Sequence, residues 1–272
     1  MKATILVDNN APDNLACEWG FSAFIEYDGK RILLDAGQSD AFAKNAHDLG
    51  INLATVDFAV LSHAHFDHAD GFPTFFAANE TAPLYVCESV AEDCHGSQND
   101  NEYIGIAPGM LERFAARIRR VKGIAEVAPG VWLIGHSTPN LIEQGKLQGM
   151  KRLIDGELVP DDFDHEQTLA FETENGIVAF NSCSHAGLQA IVAEVRAAFP
   201  QAPLRAIVGG LHLFMTPAEE VRAQAKELRD LGIQTIVTGH CTGDEAIAIL
   251  REELAGTTDV QTLESGLVID FS

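Results

Sequence analysis

The sequence predicts a mixed α/β fold. Strand-like runs alternate with helix-period segments through both halves of the chain, and histidines recur just after the strand-like runs. With 46% of 272 residues hydrophobic, the chain can also bury a large core. No short-period repeat or low-complexity linker divides it, so one domain over residues 1–272 is expected.

Residues 3–8, 21–27 and 31–36 read as three strands, the last two joined by the hairpin signal Asp28-Gly29. A helix fits residues 39–49, with Ser39 as N-cap, Phe42, Ala46 and Leu49 on one face, and Gly50 ending it. Residues 57–62 form the next strand. In the second half, residues 168–173 and 177–181 read as a hairpin, 188–199 as a helix and 204–208 as a strand. Thr216-Pro217-Ala218-Glu219 reads as a capping box opening a helix through Val221, Ala225, Leu228 and Leu231. Strand 233–238, a helix from Thr242 to Leu254 that again opens on a capping Thr and a Glu three apart, and strand 266–271 close the chain. Residues 88–166 read as an insertion able to form a lid. Within it, Leu111, Phe114, Ala115 and Ile118 suggest a helix whose opposite face carries Arg113, Arg117 and Arg120. That stripe is either a solvated face or a set of contacts for an anionic substrate through Arg113 and Arg117.

Lys plus Arg is 18 and Asp plus Glu is 40, a net charge of −22 that would repel polyanions. Long nucleic acids are therefore excluded as expected partners, and a small anion is favoured because eight basic residues gather between positions 113 and 152. No basic-then-apolar leader or membrane-length apolar run is present, which predicts a soluble, cytoplasmic protein without membrane partners. Five cysteines, an odd count in a long chain, fit a reducing compartment.

Ser62-His63-Ala64-His65-Phe66-Asp67-His68 places three imidazoles and a carboxylate within six residues, directly after a strand. Those are the donors that Zn²⁺ prefers, with Fe and Mn also served by them, and the HxHxDH spacing offers two groups of donors. His185, His212 and His240 each follow a later strand inside glycine- or serine-rich turns. The expected assignment gives His63, His65 and His185 to one ion and Asp67, His68 and His240 to a second. His212 either completes an ion or stabilises charge on the reacting oxygen, and Asp67 accepts a proton from the attacking water. Cys183 and Cys241, beside these ligands, read as buried small residues with thiolate coordination as the alternative. Asp35 either orients a ligand histidine through its second nitrogen or caps a turn. His47, His95, His136 and His165 are expected to be ordinary hydrogen-bonded histidines.

The HxHxDH run at His63 to His68, the late histidines His185 and His240, and the Asp35 turn resemble the motifs of metallo-β-lactamase fold proteins. The match runs in order over essentially the whole chain. The resemblance implies an αββα sandwich of two mixed sheets flanked by helices, holding one or two metal ions. It also implies metal-activated water acting on an ester, amide or phosphoester. Within the superfamily, Asp35-Ala36-Gly37-Gln38, Asn181-Ser182-Cys183-Ser184-His185-Ala186-Gly187 and Thr238-Gly239-His240-Cys241-Thr242-Gly243 resemble the dihydropterin ribofuranosylaminobenzene phosphate synthase-like subgroup. That activity is a condensation. The chain departs from the wider superfamily in carrying His212 where a bridging Asp is usual. A metal-dependent hydrolase of small anionic esters is thus expected, against a pterin-type transferase and a non-catalytic metal-binding protein.

Overall fold

The structure, a computed structural model, describes residues 1–96 and 101–271. These fall into two compact units. The first comprises Met1–Gly123, Gly135–Gln167 and Glu264–Ser272, and the second Ile124–Ile134 and Thr168–Leu263.

The first unit is built on a seven-stranded mixed sheet. Its order is Val268–Asp270, Lys2–Val7, Ser22–Tyr27, Lys30–Leu34, Phe58–Val60, Leu84–Cys87 and Ile118–Val121. The first four strands pair antiparallel and the rest join in parallel. Asp28 and Gly29 both take positive φ, 44° and 74°, which is the backbone twist a two-residue hairpin requires. Phe42 and Ala46 of helix Ala41–Asp48 and Phe72, Phe75 and Phe76 of helix Phe72–Ala78 pack with Leu33, Leu61 and Leu84 in one core cluster. Burial of each such phenylalanine contributes roughly 1.5–3 kcal/mol.

The second unit carries the other seven-stranded sheet, in the order Asp259–Thr262, Thr235–Thr238, Leu204–Val208, Gly176–Phe180, Gln167–Thr173, Val131–Gly135 and Ile124–Ala128. From Gly176–Phe180 to Asp259–Thr262 its strands run parallel. Gly176–Phe180 and Leu204–Val208 read as near-continuous apolar runs because inner parallel strands are covered on both faces, whereas the edge strand Asp259–Thr262 buries only Val260. Helices Leu188–Ala198, Ala218–Asp230 and Asp244–Glu253 supply Ile191, Val195, Leu228 and Leu250 to a core that also holds Ile207 and Ile236.

Several local expectations are corrected. The helix expected over 111–118 is only Met110–Arg113, and Ile118–Val121 is a parallel edge strand on Leu84–Cys87. Pairing with a distant strand overrides the helical period there. Ser39 does not occupy the cap position, which falls on Asp40, although its Oγ accepts the Ala41 N–H at 3.1 Å. Thr216 makes no cap bond, and the helix starts after Pro217. Thr242 lies in a 3₁₀ turn, His240–Thr242, and its hydroxyl accepts the Leu211 N–H at 2.8 Å instead of capping. The segment 88–166, apart from residues 97–100, which lie outside the described residues, supplies strands to both large sheets. It also forms a small sheet of Glu157–Pro160, Lys151–Ile154 and Cys94–His95.

Candidate metal centre

In the first unit the chain leaves strand Phe58–Val60, bends at His63 and Ala64 and turns into the short helix Phe66–Ala69. The His63 and His65 rings meet edge-on, 4.6 Å between centroids. The helical turn returns His68 to 4.1 Å from His63. One donor atom each from His63, Asp67 and His68 lies within 4.8 Å of the others, and all three side chains are buried.

Asp35 fixes which ring nitrogens can bind an ion. Its Oδ1 accepts the Ser62 N–H at 2.7 Å, and its Oδ2 accepts both the Ser62 hydroxyl and His68 Nδ1–H, each at 2.7 Å. Having given its one proton to Asp35, Ser62 Oγ must accept from His63 Nδ1 at 2.8 Å. Both imidazoles therefore carry their proton on Nδ1 and keep the Nε2 lone pair, a tautomer assigned from the network. His68 Nε2 stands 3.8 Å from Asp67 Oδ2, close to the roughly 3.4 Å that two donors at ~2.1 Å from one tetrahedral ion would show. Asp35 thus bonds the second ring nitrogen of His68 through its carboxylate, the contact that the orienting reading requires. Its positive φ, 56°, is the kind of local strain that accumulates at functional positions.

A strap formed by residues 161–167 holds the same loop, and no local pattern announces it. Gln167 N–H donates to Ser62 O and its side-chain amide to Leu61 O, both at 2.8 Å. His165 Nδ1 accepts the Ala64 N–H at 3.2 Å, and its Nε2 lies 3.1 Å from Asp161 Oδ2. The peptide between the first two histidines of the motif is thereby pinned from 101 residues away. Cys94, Asp161 and His165, with His65, also present donor atoms within 4.8 Å of one another. That group does not fit a metal. His165 Nε2 faces the Asp161 carboxylate and carries a proton towards it, where an ion would have to bind. Burial also pushes the Cys94 thiol up, against ionisation. Burial, helped by His165, pushes His65 down to about 3, so His65 offers a neutral ring at ordinary pH.

The second unit gathers its own donors. Cys183, His212 and Cys241 place their ligand atoms within 4.8 Å of one another, and the His185 and His212 rings are 4.4 Å apart. His212 Nδ1 is buried and has no hydrogen-bond partner among the described residues, the condition of a lone pair meant for an ion. Ser184, His212 and His240 all adopt positive φ. Gly210 is required here, because a Cβ at that position would lie 2.4 Å from Cys241 Sγ.

The remaining candidates are not members of these donor groups. Arg117 donates to Ala82 O at 2.8 Å and Asn79 O at 3.0 Å and stacks over Phe76, so its guanidinium is committed to the backbone. Arg113 is exposed, over the Phe114 ring. His95 bonds Asn101 O, His136 pairs with Glu166 at 3.0 Å, and His47 is exposed.

Nitrogen and carboxylate donors with partner-fixed tautomers, after a strand in an α+β fold, form a group that could hold a metal ion, and the donor set fits a borderline divalent ion. The family model of the metallo-beta-lactamase superfamily matches residues 20–167, and the chain belongs to that superfamily. It is 28% identical to the 7,8-dihydropterin-6-methyl-4-(beta-D-ribofuranosyl)-aminobenzene-5′-phosphate synthase of Methanocaldococcus jannaschii, over 93% of this chain and 90% of that protein. Among solved structures, Tm1679, a metal-dependent hydrolase of the beta-lactamase superfamily, superposes with a TM-score of 0.86 at 26% identity, covering 100% of this chain and 99% of that one. Zn²⁺-bound PqqB from Methylobacterium extorquens shares the fold at a TM-score of 0.56 and 15% identity, each chain covered in full. Among the described residues, no helix is long and apolar enough to cross a membrane.

Proposed function

We propose that this protein is a metal-dependent hydrolase of a small anionic ester or phosphoester. The observation that carries the reading is the Asp35–Ser62 network, which commits His63 and His68 to present Nε2 beside the Asp67 carboxylate. His63, Asp67 and His68, with His65 beside them, would hold a divalent ion, which would supply Lewis acidity and lower the pKa of water. Asp67 would accept the proton of the attacking water. The strap from Asp161 to Gln167 keeps the loop backbone from yielding as charge develops. In the second unit, His212 is the candidate donor to the reacting oxygen. The similarity to Tm1679 over the whole chain supports the hydrolytic reading.

A second reading has an observation of its own. The likeness to the M. jannaschii synthase extends over 93% of the chain, which favours a pterin-type transferase. The test is a panel of p-nitrophenyl phosphate, an aryl phosphodiester and an aryl acetate. It is run beside a dihydropterin diphosphate with an arylamine ribofuranosyl phosphate, using metal-loaded and chelator-treated protein. Hydrolysis that is abolished by chelation and reduced at least ~100-fold in Asp67→Asn supports the first reading. Pyrophosphate release with a pterin–arylamine product supports the second. Metal-loaded protein inert to all four would overturn both.

A further inference from the structure

We propose that Cys183 is a thiolate ligand of the metal bound by the histidine cluster of the second unit, a role that rests on the metal-dependent reading above. Its sulfur is the common neighbour of that cluster. One group joins Cys183 with His212 and Cys241, and Cys183 Sγ also lies within 4.8 Å of the ligand atoms of His185 and His240. Cys241 is associated in the same way with Cys183 and His212. A cysteine retained for packing would be bedded among apolar groups, whereas this one is ringed by three imidazoles and a second sulfur.

The local backbone builds this arrangement. Asn181 Oδ1 accepts the Ser184 N–H at 2.6 Å and its hydroxyl at 3.0 Å, tightening the turn that carries Cys183. Ser184 follows at a φ of 41°, and Gly210 N–H bonds Ser182 O at 2.9 Å. The two sulfurs are 3.2 Å apart, far outside the ~2.0 Å of a disulfide, and both cysteines are free thiols. Separations within 4.8 Å suit donors around one ion, since Zn–S of ~2.3 Å and Zn–N of ~2.05 Å at a tetrahedral angle put S and N roughly 3.6 Å apart. On coordination the Cys183 thiol loses its proton to solvent, and the S–metal bond forms without any change of oxidation state. A sulfur ligand would also bias the site towards Zn²⁺ or Co²⁺ over Mg²⁺ and Mn²⁺, which ordinary nitrogen and oxygen donors do not.

The test uses full-length protein stripped by a chelator and reloaded with Co²⁺ alone. Wild type should show an intense near-ultraviolet sulfur-to-cobalt charge-transfer band beside the weak visible d–d bands, and cobalt should shield one more thiol from a disulfide reagent than in the stripped protein. Cys183→Ser should lose the band yet keep d–d absorption, with Zn²⁺ affinity falling more than the roughly 10- to 100-fold that loss of an outer hydrogen-bond partner costs. Cys241→Ser should keep the band. Cobalt bound with d–d absorption and no charge transfer in wild type would overturn the ligand role while leaving a metal-dependent enzyme intact. So would a band that survives in Cys183→Ser. Should that variant fail to fold, Cys241→Ser still decides the matter, since a band kept there supports Cys183 and a band lost there overturns the proposal. A protein that binds no cobalt overturns this proposal and the metal-dependent reading together.

Discussion

Replacing Asp35 with Asn tests the tautomer argument with almost no change in shape. Asn tolerates the positive φ at this position, 56°, so the backbone should be kept. The amide oxygen can still accept the Ser62 N–H, but the NH₂ then stands where Oδ2 accepted the Ser62 hydroxyl and His68 Nδ1–H, both at 2.7 Å. Two donors would face a donor. His68 escapes by moving its proton to Nε2, and Ser62, now accepting from the amide, is free to donate to His63 Nδ1, 2.8 Å away, which moves that proton to Nε2 as well. Both rings lose the lone pair that an ion needs. Losing one such outer partner costs about 10- to 100-fold in metal affinity, and with two rings affected the upper end applies, roughly 2.7 kcal/mol. Asp35→Ala is a different perturbation: it strips three buried donors of their acceptor, at roughly 1–3 kcal/mol each, and should impair folding itself. The assay is competition against a chromophoric Zn²⁺ chelator, with thermal melting of the metal-free proteins as control. Unchanged zinc affinity in a folded Asp35→Asn would refute the claim that Asp35 selects the tautomers.

Three further outcomes are expected. For His165, Asn restores an acceptor for the Ala64 N–H, Gln reaches Asp161 instead, and Leu does neither. Metal affinity, read by the same competition, should fall in Leu and recover in Asn more than in Gln; equal affinities in all three would remove the strap from the metal loop's support. Burial pushes Asp161 up, but the His165 ring and the Phe163 N–H beside it outweigh that and hold it at about 2, against 3.8 unfolded. Because the folded value is the lower one, the stabilisation is complete above about pH 4 and is lost as pH falls towards 2. It amounts to about 2 kcal/mol, and Asp161→Asn should lack that part of the acid-denaturation slope. Arg117→Glu breaks bonds to Ala82 O and Asn79 O and a stack on Phe76, so it should lower the Tm by several degrees, about 2 kcal/mol, with KM unchanged. Arg113→Glu is the reverse case, with Tm kept and KM for an anionic substrate raised. A KM effect confined to Arg117 would invert these roles.

By itself the sequence determined what short-range rules govern. The 2.0 and 3.6 periods, Asp28-Gly29 and the HxHxDH spacing gave most strands of the two large sheets, four of the flanking helices and a histidine-rich loop at a strand end, since each is set by neighbours a few residues apart. Strands Leu84–Cys87, Ile118–Val121, Ile124–Ala128, Val131–Gly135 and Asp259–Thr262 and helix Phe72–Ala78 were not read from it. Where a distant partner competed, local reading failed: the Arg-striped segment became an edge strand against Leu84–Cys87, and the Thr242 hydroxyl was taken by Leu211 instead of a helix end. Only the tertiary structure decided which ring nitrogens of His63 and His68 carry protons. That depends on Asp35, 27 residues before Ser62, and no local pattern encodes it. The same holds for His165, an unremarkable histidine in sequence that grips Ala64 across 101 residues, and for Cys183 and Cys241, 58 residues apart, whose sulfurs meet. A proton's place in a buried network is fixed by whichever donors and acceptors the folded chain brings within 3 Å of it, and that proximity is created by folding alone.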